Sequence, residues 1–140
     1  MKNMKRYSGV VVRCGDEVLL CKRNNNKELP GVWSIPAGKI DENENAMVGA
    51  KREFFEETDI KITEEIKLCG FIKRTTRDGV NIKGLMYVFL LNVDEKIYPD
   101  LKNAKDGGEH TECGYFGVDN LPFEDNNDQL MKLVLNILSK

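Results

Sequence analysis

The apolar positions of this 140-residue chain fall into short runs separated by polar turns. Residues 7–13 contain Val10-Val11-Val12, a β-branched run that predicts a strand. Cys14-Gly15-Asp16 has turn chemistry, and residues 17–23 carry a second apolar run, so the two predict a hairpin. Asn24-Asn25-Asn26 reads as a polar loop, and residues 32–35 as a short apolar patch before Pro36. Residues 43–58 predict a helix capped by Asn43, with Glu44 and Asn45 in its first turn, where the dipole favours acid. Strands are predicted over 68–75 and 83–93, with Asp78-Gly79 as a turn between them. Asp106-Gly107-Gly108 opens a loop that carries Glu109, His110 and Glu112, and 115–118 is a short strand closed by Leu121-Pro122. Leu130, Leu133, Val134, Ile137 and Leu138 follow the stripe of an amphipathic helix that packs on a sheet.

Composition narrows this picture. Hydrophobic residues make up 41% and charged residues 31%, with 12 Gly and 4 Pro, which excludes a disordered or collagen-like chain. The length suits one domain with its own core. A net charge of −2 supplies no general attraction for a nucleic-acid polymer, so a phosphate ligand has to be held locally. No apolar run approaches the roughly 18 residues of a membrane span, and the basic residues 1–6 lead into no signal-peptide core, so a cytoplasmic location is expected. Cys14, Cys21, Cys69 and Cys113 contain no C-x-x-C pair and are expected to be reduced thiols. His110 is the only histidine and reads as a surface loop residue; no zinc-ligand cluster forms in the sequence.

The helix at 43–58 carries the chemistry. Glu53, Glu56 and Glu57 span an arc of roughly 100° on one face of its last turn. They form like-charge i,i+3 and i,i+4 pairs, and they sit where the helix dipole repels anions. A helix built only for stability would carry Lys or Arg there. Ala46, Gly49 and Ala50 are small enough for a backbone or ligand to approach. Met47 with Phe54, and Val48 with Phe55, suggest burial on two flanks. A solvated acidic face is the plain alternative, but the dipole conflict and the small residues favour a divalent-cation site, with clustered oxygens suited to Mg²⁺ or Mn²⁺. Arg52 can orient a carboxylate by a bidentate contact.

These residues resemble the Nudix box: Gly, five residues, Glu, seven residues, then Arg-Glu-apolar-x-Glu-Glu-x-Gly-apolar. Gly38, Glu44, Arg52-Glu53-Phe54, Glu56-Glu57 and Ile60 fall at that spacing, and residues 31–38 resemble the segment that precedes the box. Two positions depart: Asp59 replaces the box glycine, and Lys39 the glycine often found after Gly38. Asp tolerates the left-handed conformation of a helix terminator at modest cost.

The resemblance covers the whole chain as a single domain, with the box at 38–60. It implies an α+β fold: a mixed β-sheet sandwiched between helices, with a loop-helix-loop motif. It also implies hydrolysis of a nucleoside diphosphate linked to another group, with water as nucleophile and Mg²⁺ or Mn²⁺ as cofactor. Metal ions neutralise a diphosphate and lower the pKa of bound water. By position, Glu53, Glu56, Glu57 and the Gly38 carbonyl are the metal ligands, and Glu53 is the first choice as general base. Glu112 corresponds to a glutamate that often completes the metal site, with Glu109 as the alternative. Arg52 and Glu44 orient the loop. Arg23 reaches phosphate or solvent. Asn120, Asn126 and Asn127 lie where mutator-type relatives read a base edge, and are equally ordinary as turn and cap residues. Trp33 is expected to be partly buried, and Tyr115 and Phe116 to pack in the core.

Substrate choice in this family lies outside the box. Size and the absence of other signatures favour a nucleoside triphosphate, oxidised nucleotides included. An ADP-sugar or dinucleoside polyphosphate hydrolase is the enzyme alternative. A non-catalytic nucleotide-binding module is a third reading, disfavoured because every acidic box position is present; an isomerase acting on a diphosphate ester has no supporting cysteine in the box. The expected partner is a small nucleotide, with no membrane and no nucleic-acid polymer. Dimers are common among such proteins, and the sequence leaves the oligomeric state open.

Overall fold

The computed structural model describes residues 4–24, 31–75, 80–105, 108, 110–123 and 128–140. Its elements are β1 (Lys5–Cys14), β2 (Glu17–Arg23), β3 (Trp33–Ser34), β4 (Ala37–Lys39), α1 (Ala46–Thr58), β5 (Lys67–Thr75), β6 (Ile82–Val93), β7 (His110–Phe116) and α2 (Asp128–Leu138). The predicted Asp78-Gly79 turn, Asn25, Asn26, Asp106, Gly107, Glu109, Asn126 and Asn127 lie outside the described residues.

Side chains alternate across a strand, and Val10-Val11-Val12 uses that alternation to build two cores. Val10 and Val12 join Leu19, Ala50, Phe54, Phe89 and Leu91 on the α1 side. Val11 joins Val18, Leu20, Val88, Leu130, Val134 and Ile137 on the α2 side. A sheet buried on both faces between helices is the expected sandwich, and it explains the near-continuous apolar runs.

The sheet is mixed. Its main path runs β3-β2-β1-β6-β5, with β4 joined to β1 and β7 to β2. β1 and β6 are parallel along their shared length, from Lys5↔Gly84 to Cys14↔Val93. The β1–β2 hairpin is confirmed and its pairing is confined to the turn end, Arg13↔Val18 and Cys14↔Glu17. Beyond that point β1 pairs with β4 instead, Ser8 facing Gly38. This hands the box loop to the end of β1 away from the hairpin turn.

Three expectations need correction. Residues 110–114 are strand, not loop: β7 pairs antiparallel with β2 from Phe116↔Val18 to His110↔Arg23. Backbone pairing makes this strand, and its polar sequence hides it. His110 is consequently buried, with its side chain 1% exposed. The same register sets Cys21 opposite Cys113, and the structure joins them in a disulfide; Cys14 and Cys69 are free. A separation of 92 residues conceals that pairing in the sequence.

α2 presents the predicted stripe, with Leu130, Val134 and Ile137 buried. Gly70 makes room for it, because a side chain there would collide with Leu133. Trp33 is partly buried, edge-on to Phe116 at 5.0 Å. Tyr115 packs on the α1-side core and Phe116 on the α2-side core. Among the described residues, no helix is long and apolar enough to cross a membrane.

Candidate active site

The acidic helix begins two residues later than a cap at Asn43 would place it. Asn45 is the cap, its Oδ1 accepting the Val48 N–H at 2.9 Å. Asn43 instead holds a left-handed φ of 68° in the preceding turn. At the other end Asp59 takes the left-handed C-cap (φ 64°, ψ 21°) that the box glycine would occupy, and its N–H donates to Phe55 O at 2.9 Å. The motif glycine is therefore replaced without loss of the terminator geometry.

Burial on α1 is one-sided. Gly49, Ala50, Phe54, Glu57 and Thr58 are buried, whereas Met47, Val48 and Phe55 are exposed. The two-flank expectation fails because only one side of the helix meets the sheet. Gly49 serves that contact: a Cβ there would meet Ser8 Oγ of β1 and Glu44 Oε1. The small residues thus admit a strand and the box loop.

Arg52 organises the loop. Its Nε and Nη2 donate to the two Glu44 oxygens at 2.9 and 3.0 Å, a bidentate pair. Nη2 also donates to the Lys39 carbonyl at 2.9 Å, and Glu44 Oε1 accepts the Asp41 N–H at 2.9 Å. Residues 39–44 are so tied to the helix. The hydrogen bond from Arg52 holds the Glu44 carboxyl below its ordinary value, and Glu44 holds the Arg52 guanidinium above its own.

Glu53, Glu56 and Glu57 share the helix face toward Gly38 and β7. Arg52 Nη1 donates to Glu53 Oε1 at 3.0 Å and reaches both Glu56 oxygens at 3.3 Å. Lys105 Nζ lies 3.9 Å from Glu56. Burial pushes the Glu53 carboxyl up, against the opposing pull of Arg52. Gly38 is pressed against that carboxyl, and a Cβ there would overlap it. Glu57 is 4% exposed, with Oε1 accepting the Ala37 N–H at 3.2 Å.

Among the described residues, no three His, Cys, Asp or Glu side chains stand ready to hold an ion as placed. The Arg52 guanidinium occupies the Glu53 and Glu56 oxygens instead. The donor set itself fits a hard divalent cation: three carboxylates on one helix face beside a side-chain-free backbone at Gly38. A cation there would take over the charge that Arg52 now balances.

β7 supplies a residue that the sequence reading missed. His110 Nδ1 lies 3.8 Å from Glu57 Oε1. Burial, and then the positive charge of Arg23, push its pKa down to about 4, so the ring is neutral at neutral pH. Arg23, opposite His110 in the register, therefore stands beside this group. Glu112 does not join it. The register shifts between Lys22 and Arg23, and Glu112 pairs with Lys22 at 3.9 Å, 60% exposed. By alternation Lys22 shares the α2-side face of Val18 and Leu20, away from α1.

Asn120 is also remote. Its Oδ1 accepts the Gly117 N–H at 2.8 Å, the local turn bond of the plain alternative. It lines a cavity of about 660 Å³ with Cys14, Asp16 and Glu17 at the hairpin turn. That turn lies some six β1 residues from Ser8 and the box loop, roughly 20 Å along the strand.

Comparison with known proteins agrees with this geometry. The NUDIX domain family matches residues 3–134. An RNA pyrophosphohydrolase of Pelagibacter ubique (strain HTCC1062) is 38% identical over 60 residues, 43% of this chain and 37% of that protein. An 8-oxo-dGTP diphosphatase of Buchnera aphidicola subsp. Schizaphis graminum (strain Sg) is 32% identical over 62 residues, 44% and 47% respectively. The matched stretches span less than half the length of these relatives. The crystal structure of a MutT NUDIX hydrolase from Burkholderia pseudomallei superposes with a TM-score of 0.74 and 22% identity, covering 93% of this chain and 97% of that one. With the box residues in place on α1 and the family matched from end to end of the sheet, the chain belongs to the Nudix family.

Proposed function

We propose that this protein hydrolyses the diphosphate linkage of a nucleoside triphosphate, oxidised nucleotides included, to a nucleoside monophosphate and pyrophosphate. The observation that carries this reading is the complete acidic set on α1: Glu53, Glu56 and Glu57 are gathered on the face beside Gly38, with Glu44 and Arg52 clamping the loop. A Mg²⁺ or Mn²⁺ ion held there would neutralise the diphosphate and acidify a bound water. Glu53, Glu56, Glu57 and the Gly38 carbonyl are the ligands in this reading. Glu53 is the proposed base: its carboxyl lies against Gly38, on the face where the ion-held water would sit. One P–O bond between the α- and β-phosphates breaks, the water oxygen enters on phosphorus, and its proton passes to the carboxylate. Arg23, beside His110, is the phosphate contact in this reading.

The similarity to an 8-oxo-dGTP diphosphatase supports an oxidised purine nucleotide. The similarity to an RNA pyrophosphohydrolase supports a second reading, in which the triphosphate is that of an RNA 5′ end. Chromatography of the cleavage products distinguishes them: pyrophosphate leaves a triphosphate, and phosphorylated nucleosides or sugars leave the other linkages. Standard and oxidised nucleoside triphosphates, 5′-triphosphorylated RNA, ADP-ribose and dinucleoside polyphosphates are assayed with Mg²⁺, Mn²⁺ and EDTA. Metal-dependent release strongest on free nucleotides supports the proposal. Turnover confined to RNA ends, or to ADP-ribose or dinucleoside polyphosphates, replaces it.

A further inference from the structure

His110 is a buried polar group without a hydrogen-bond partner at either ring nitrogen among the described residues. Leaving such a group unsatisfied is costly, so its presence calls for an explanation. The strand does not require a polar residue there; the neighbouring inward positions of β7 are Cys113 and Tyr115, both packed on the α1-side core. The register shift after Lys22 turns His110 to that face, whereas Glu112, paired with Lys22 before the shift, lies on the other. Glu57 Oε1 lies 3.8 Å from the ring's Nδ1, and that oxygen already accepts the Ala37 N–H. At 3.8 Å the pair is in contact but not hydrogen-bonded, and a shift of about 1 Å by either side chain would close the bond.

We infer that His110 is a positioning residue for the carboxylate site: its ring secures Glu57 by Oε1, beside the Ala37 amide, and so sets the orientation in which Glu57 meets a divalent cation. Partners that orient a metal ligand typically change metal affinity by about 10- to 100-fold when removed. The inference rests on the proposed metal site, and its test separates the two.

Mn²⁺ binding is titrated by electron paramagnetic resonance, which needs no turnover, on the wild type, His110→Leu, His110→Asn, Glu57→Gln and the Glu57→Gln/His110→Leu double variant. Thermal unfolding of the metal-free proteins runs alongside. His110→Leu is expected to weaken Mn²⁺ binding about tenfold without losing thermal stability, since an orphaned polar group is replaced by an apolar one. His110→Asn keeps a donor near the same place and is expected to bind within about threefold of wild type. In the Glu57→Gln background, His110→Leu is expected to add nothing. If His110→Leu does not fold, His110→Phe takes its place in both backgrounds. The inference is overturned if the apolar variant binds like wild type, if His110→Asn loses as much as it does, or if the loss persists without the Glu57 carboxylate. A wild type that binds no Mn²⁺ overturns the metal site, and the inference with it.

Discussion

A single added methyl group at Gly38 would land on the carboxyl of Glu53. That carboxyl is the far end of a flexible side chain, so it can swing aside while the fold survives. Gly38→Ala is therefore expected to cut turnover more than tenfold, with the thermal midpoint of the metal-free protein nearly unchanged; comparable losses in both would show that Gly38 serves only the fold. At this scale the sequence was legible where the box spacing applied: Arg52, Glu53, Glu56 and Glu57 stand together as their order on a helix requires, and Arg52 holds Glu44 to them from the preceding loop. It was illegible where a cross-strand register decides. Glu112 and His110 are two residues apart and would share a face in a regular strand; the irregularity beside Lys22 and Arg23 turns His110 toward α1 and leaves Glu112 on the other side. Asn120, attractive as a base reader, satisfies a turn amide at the other end of β1. Asn126 and Asn127 keep their place as candidates for base contact.

The ends of α1 show how elements carry a site. The helix is closed by Asn45 at one end and by Asp59 in the left-handed conformation at the other. Asp59→Gly removes the Cβ penalty of that conformation, and we expect urea unfolding to show a gain of about 0.5–1 kcal/mol, offset in part by glycine's freedom in the unfolded chain. Asn45→Ala removes the Val48 cap and is expected to cost about 1 kcal/mol in the same experiment. No change at Asn45 would mean that another group caps the helix. The strands with apolar runs, β1, β2, β5 and β6, were readable within a residue or two. β7 was read only at its Tyr115-Phe116 end, since the polar residues before it take strand geometry from backbone pairing with β2.

Across the whole molecule, one sheet with a helix on each face positions the box loop by pairing β4 with β1. The connection after β6 is pinned to the same sheet by Tyr115, whose hydroxyl donates to Ile97 O at 2.6 Å and accepts the Ile97 N–H at 2.9 Å. Burial pushes the Tyr115 phenol up to about 12. Between the ordinary phenol value near 10 and that value the unfolded chain has lost the proton and the folded chain keeps it. Stability from this group is therefore complete below about pH 10 and is lost as pH rises toward 12. Urea unfolding between pH 8 and 12 is expected to show that decline in the wild type and a shallower one in Tyr115→Phe; parallel curves would contradict it.

The central claim is that the α1 carboxylates make this Nudix chain a metal-dependent pyrophosphohydrolase. The most direct measurement is Mg²⁺-dependent pyrophosphate release from an oxidised purine nucleoside triphosphate by the wild type and by Glu57→Gln. The account predicts metal-dependent release by the wild type and a loss of at least about 100-fold in the variant, about 2.7 kcal/mol of transition-state stabilisation. Turnover by Glu57→Gln close to the wild-type rate would contradict it.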